Sequence, residues 1–167
     1  MMQKQEIYDF LKKRGIWYEA MEHEAVYNME ELAQISLPYP EADAKNLFVR
    51  NDKKSVYYLI TVKNDRKINL KAFQKQYGTR RLSFASADDL KAILGLFPGA
   101  VSPFGLLNDA SCQTVFYLDE EFLTKPGIIG IHPNENTATV FLKTEDLVDI
   151  IQEHGNPICS FSASRLV

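Results

Sequence analysis

Three short segments of this 167-residue chain carry residue types that could act on a substrate. The first is Lys45-Asn46, at the head of the apolar run Leu47-Phe48-Val49. An ammonium there can hold a ligand oxygen, or it can simply end a buried strand in solvent. The second is Leu96 to Asn108, where two prolines and two glycines lie among large apolar residues. Such glycines let backbone N–H groups approach a ligand closely. The third is Gly130-Ile131-His132-Pro133-Asn134-Glu135-Asn136-Thr137, a turn composition that suits binding as readily as structure. Ser102 precedes Pro103, which favours an extended conformation and a loop-shaping role over that of a nucleophile. His154 falls in a last helical turn, where an imidazole suits the helix C-terminus, and His23 alone carries little signal. No Gly-rich phosphate loop, zinc-ligand pair at helical spacing or Gly-x-Ser-x-Gly elbow is found, so no metal and no cofactor is expected.

The elements that must position these groups follow from periodicity and caps. Ile7, Phe10, Leu11 and Ile16 make an apolar stripe for a helix from Gln3 to Arg14, stopped by Gly15. Trp17 to His23 reads as a strand, and Asn28 with Glu31 opens a second helix as a capping-box-like pair. Leu37-Pro38-Tyr39-Pro40 ends that helix. Lys45 to Arg50 and Val56 to Val62 read as a hairpin around Asn51-Asp52-Lys53-Lys54, the second strand apolar enough to be covered on both faces. Asn69 caps a helix to Tyr77 closed by Gly78, and Ser86 caps another closed by Gly95. The 96–108 segment must be an ordered loop, because its aromatics and leucines need burial. Gln113 to Asp119, Ile128 to His132 and Thr137 to Leu142 are further strands, and Thr144 caps a last helix ending near Gly155. Strands and helices interleave without regular alternation, so the expectation is one α+β domain over residues 1–167.

Composition bounds the rest. With 46% hydrophobic and 25% charged residues the chain is an ordinary globular protein, large enough for a real core. No apolar stretch could span a bilayer, and the N-terminus lacks a signal-peptide pattern. Cys112 and Cys159 match no metal spacing and read as buried free thiols, so a cytoplasmic location is expected. The net charge of −3 argues against a general nucleic-acid binder. Yet Lys63 to Arg81 holds seven basic residues and one acid, Asp65. That segment suits either a local polyanion contact or a solvated helix flank.

Taken together, three runs resemble the YbaK/ProX family of aminoacyl-tRNA deacylases, and its ProX (PrdX) branch in particular. They are Ala44-Lys45-Asn46-Leu47-Phe48; Phe97-Pro98-Gly99-Ala100-Val101-Ser102-Pro103-Phe104-Gly105-Leu106-Leu107-Asn108-Asp109; and Gly130-Ile131-His132-Pro133 with Asn136-Thr137-Ala138. The order and spacing are the family's, over nearly the whole chain. One departure is Asn28, where relatives commonly carry threonine in a loop thought to shape the amino-acid pocket.

The resemblance implies a single α+β domain with a mixed, partly barrel-like sheet flanked by helices. It implies hydrolysis of a wrong amino acid, alanine first, from tRNA(Pro). Cysteine or another small amino acid, or a catalytically silent homologue that binds tRNA or a synthetase, are the alternatives. The implied catalytic set is Lys45, Gly99, Ser102, Gly130 and His132. Lys45 would hold the substrate through its ammonium, and backbone N–H groups of the Gly99–Gly105 loop and of Gly130 would polarise the ester. Asn28, Met29, Asn46, Leu47, Pro103, Phe104, Gly105 and Asn136 would contact substrate, with Met29 and Leu47 helping a small pocket exclude proline's ring. Lys63, Arg66, Lys67, Lys71, Lys75, Arg80 and Arg81 are the candidate tRNA contacts, and prolyl-tRNA synthetase is the second expected partner.

Overall fold

The apolar run after the polar turn becomes the centre of the molecule. In a computed structural model describing residues 1–25, 30–31 and 36–166, β3 (Tyr57–Lys63) is the middle strand of a five-stranded sheet. It pairs antiparallel with β2 (Ala44–Asn51) and parallel with β5 (Thr114–Asp119). Leu59 faces one core, while Ile60 and Val62 face another on the opposite side. The double-sided burial expected from its composition is thus met. β4 (Leu82–Phe84) and β8 (Ile158–Phe161) form the edges of this sheet. Neither edge strand was expected: both are short, and each pairs on one side only.

A second, three-stranded antiparallel sheet holds β1 (Tyr18–Glu22), β7 (Ala138–Lys143) and β6 (Ile128–Ile131), with β7 central. The main core lies between the sheets and is closed by α1 (Lys4–Lys13), α3 (Ala87–Leu94) and α4 (Thr144–His154). α1 gives it Ile7, Tyr8 and Leu11, at helical spacing. On the other face of the large sheet, α2 (Leu70–Tyr77) covers a smaller core. There Phe73, Tyr77, Tyr117 and Phe161 meet ring to ring, with Phe73 to Tyr117 at 4.9 Å between centroids.

The caps behave as the residue types require. Asn69 accepts from the Ala72 amide at 3.1 Å and Gly78 closes α2 at φ 64°, while Ser86 and Gly95 do the same for α3. Thr144 differs from expectation. It is the first residue inside α4, and its hydroxyl donates to the Phe122 carbonyl at 2.7 Å, tying the helix to the 120–123 turn. Both cysteines are free, but Cys159 lies exposed on the β8 edge and Cys112 is half-buried, against the expectation of buried thiols. The expected cap Asn28 lies outside the described residues. Among the described residues no helix is long and apolar enough to cross a membrane.

Neither sheet closes into a barrel. They meet instead at an isolated parallel bridge between Asp43 and Gly130. Gly130 leaves room for nothing else, since a Cβ there would sit 2.5 Å from the Phe141 ring opposite it. Asp43 is only 3% exposed and accepts from the Asn64 side chain at 3.0 Å. Burial pushes its carboxyl up to about 6, opposed by the bonds from Asn64 and the Ala44 amide.

Two outcomes follow. Gly130→Ala should cost about 1–3 kcal/mol in denaturant unfolding as the Phe141 ring is forced aside. A change below 0.5 kcal/mol, on the order of a neutral surface substitution, would contradict the crowding. The raised Asp43 value means that the folded state binds the proton more tightly than the unfolded chain. Stability should therefore fall as pH rises through about 4 to 6, by at most about 3 kcal/mol. Asp43→Asn should flatten that part of the pH–stability curve, and an unaltered curve would count against the burial cost.

Candidate active site

The bridge decides which groups can meet. In a parallel pairing both chains leave in the same direction, and alternate residues share a side of the sheet. Lys45 lies two residues beyond Asp43, and His132 two beyond Gly130, so the bridge brings the chain segments that carry them together. Leu47 shares the side of Lys45 and packs against the smaller core. Asn46 takes the opposite side, where its Oδ1 accepts the Thr61 hydroxyl at 2.6 Å. Adjacent in sequence, Lys45 and Asn46 therefore face different environments.

Lys45 is half-buried, and its Nζ donates to the backbone carbonyl of Arg66. Burial lowers its pKa, and the nearby Lys67 charge adds to the effect.

His132 is held from two directions. Its Nδ1 lies 2.8 Å from the Ala138 carbonyl, which can only accept, so Nδ1 carries the proton and Nε2 keeps its lone pair. Burial depresses the imidazole's pKa, the His23 ring lowers it further, and the Ala138 bond partly restores it. Burial thus favours the neutral ring. The His132 carbonyl accepts from Ser102 Oγ at 2.5 Å.

Ser102 is fully buried, and its oxygen also accepts the Phe104 amide at 3.3 Å. It braces the histidine turn and is not presented as a nucleophile. The rest of the 96–108 loop is similarly committed. The Ala100 and Gly105 amides bond to Phe97 and Ser102 carbonyls, and Pro103, Phe104 and Gly105 are buried. Gly105 is needed for packing, since a Cβ would meet Leu96 at 2.6 Å. Gly99 adopts φ 95°, a turn conformation that side chains rarely accept. Asn134 binds the Met2 carbonyl at 3.0 Å and lies 3.5 Å from that of Phe104, and Asn136 is buried in the same turn. Met29, like Asn28, lies outside the described residues.

One member of the cluster escaped sequence reasoning. His23 sits just past β1, its ring 6.2 Å from that of His132. Its Nδ1 donates to the Glu24 carbonyl at 2.8 Å, leaving Nε2 to accept the Thr139 hydroxyl at 2.9 Å. Only the β1–β7 register, which sets Met21 opposite Thr139, brings His23 here. No pattern within residues 17–28 encodes that pairing.

The basic segment divides in two. Lys63 donates to the Glu41 carbonyl and lies over the Phe122 ring, Arg66 pairs with Glu121, and Arg80 pairs with Asp52. Lys67, Lys71, Lys75 and Arg81 are exposed, the three lysines spaced by four along and just before α2. Among the described residues, no group of three or more His, Cys, Asp or Glu is placed to hold a metal.

Comparison with known proteins shows the family. Residues 23–150 match the family described as aminoacyl-tRNA editing domain. The chain is 40% identical over 153 residues to the prolyl-tRNA editing protein ProX of Acetoanaerobium sticklandii, covering 92% of this chain and 93% of that protein. It is 33% identical over 141 residues to prolyl-tRNA synthetase associated domain-containing protein 1 of Bos taurus, covering 83% and 82%. A solved structure described as a candidate trans-editing enzyme for prolyl-tRNA synthetase superposes with a TM-score of 0.70 at 20% identity. It spans 95% of this chain and 96% of its own, and so shares the fold. The chain belongs to the aminoacyl-tRNA editing domain family.

Proposed function

We propose that this chain hydrolyses the ester of mischarged tRNA(Pro), in trans to prolyl-tRNA synthetase, and that alanine is the amino acid removed. The observation that carries the proposal is that one bridge joins the segments bearing Lys45 and His132, with Ser102 withdrawn into the scaffold. Its likeness to ProX supports the choice of tRNA. An aminoacyl ester is already activated, so positioning water and stabilising charge suffice without a covalent nucleophile. The Lys45 ammonium supplies the positive charge beside the ester and the terminal adenosine. The free Nε2 of His132 supplies an acceptor that orients the ribose hydroxyl, the amino group or the attacking water. The vicinal ribose hydroxyl directs that water.

Alanine fits the physical need for such an enzyme. A synthetase pocket built for proline rejects a smaller side chain by only about 1–3 kcal/mol per missing methylene. A second site too small for proline removes the error. The exposed Lys67, Lys71, Lys75 and Arg81 are the surface offered to the phosphate backbone.

Lys45→Ala should lower the rate of Ala-tRNA(Pro) hydrolysis by about 100-fold or more at unchanged melting temperature. Full activity would overturn the assignment. Across tRNA(Pro) charged with Ala, Cys, Ser and Pro, alanine should leave fastest and proline persist; equal release of proline would sink the size sieve. Replacing Lys67, Lys71 and Lys75 by Ala should reduce the slope of log affinity against log salt by about 2–3. The same slope in variant and parent would mean these lysines make no phosphate contact.

A further inference from the structure

Arg66 was expected among the tRNA contacts, yet it is half-buried and turned inward. Its backbone and side chain do different things. The amide closes a turn on the Lys63 carbonyl at 3.0 Å, and the carbonyl receives the Lys45 ammonium. The guanidinium reaches across to the end of β5, where Nη2 pairs with Glu121. Its Nε lies 3.8 Å from Asp119 Oδ2, a carboxylate with no exposure, so the two charges face each other without a hydrogen bond. Asp119 in turn accepts the Glu121 amide at 3.1 Å and a bond from the Lys63 backbone. Asp119 thus touches both ends of the 63–66 turn, and Glu121 holds the Arg66 end.

We infer that Arg66 is a positioning residue for Lys45: paired with Glu121 beside the buried charge of Asp119, it fixes the backbone carbonyl that aims the Lys45 ammonium. The inference rests on Lys45 belonging to the hydrolytic site. The physical reason for a clamp is plain. A lysine side chain has four flexible carbons, and holding its charge in one place costs rotamer entropy that a rigid acceptor offsets. A carbonyl in a loose turn cannot serve as one. The charge-assisted bond from the guanidinium to Glu121, next to the Asp119 charge, ties the turn to the end of a neighbouring strand.

A tRNA-contacting Arg66 would affect affinity and salt dependence, whereas a positioning Arg66 affects the chemical step. Arg66→Ala should lower kcat for mischarged tRNA(Pro) by about tenfold, with KM changed less than about threefold. Glu121→Gln should give a smaller loss in the same direction, and Arg66→Lys, which keeps one charged contact, should retain most of kcat. On a Lys45→Ala background, Arg66→Ala should cause no further loss, because the two act as a unit. Additive losses, or a change confined to KM and the salt slope, would overturn the inference while leaving Lys45's own role intact.

A second measurement is independent of turnover. The pH dependence of Lys45 acetylation by acetic anhydride, read by mass spectrometry, should shift upward in Arg66→Ala as the ammonium swings into solvent. An identical labelling profile in both proteins would refute the clamp. If the parent protein hydrolysed no mischarged tRNA, the functional assignment would fail and the labelling result would still decide the coupling.

Discussion

The close contact of two backbones at Asp43 and Gly130 is the constraint on which the site depends. A side chain larger than hydrogen on the glycine side would meet Phe141, and the acid on the other side must be sealed from water. Burying a carboxyl is costly unless its oxygens find donors, and Asn64 supplies one. That bond also fixes the start of the turn whose last residue receives Lys45. The join between sheets and the aim of the lysine are thus parts of one local structure.

Around that join, conspicuous residues serve as scaffold. The Ser-Pro-Phe-Gly run has the look of a catalytic loop, but its serine, amides and phenylalanine are spent on internal bonds and packing. Its contribution is to hold the His132 carbonyl from beneath while Ala138 holds the ring from the side. A histidine fixed at both ends presents a single tautomer with little entropy left to lose. Lys45 and His132 are in this way both anchored by uncharged backbone carbonyls.

What could be read from the sequence was what short-range physics determines. The caps at Asn69 and Ser86, the closures at Gly78 and Gly95, and the double-sided burial of β3 depend on neighbours within a few positions. The edge strands β4 and β8 depend on a partner strand far away and carry little apolar pattern of their own. The site divides the same way. Lys45, Ser102 and His132 stood out by motif, but the inward turn of Arg66 and the arrival of His23 beside Thr139 are products of register. Charge counting could not separate a basic residue facing solvent from one spent on Glu121 or Asp52.

The opposed directions of Lys45 and Asn46 have a consequence for how β2 finds its place. In a strand, a slip of one position exchanges its two faces. Such a slip would turn the Lys45 ammonium toward Thr61 and the main core, and bring Asn46 out in its stead. An ammonium without a partner in that interior is far more costly than a misplaced amide. The lysine thus discourages the wrong register during folding, before its ammonium has met the Arg66 carbonyl.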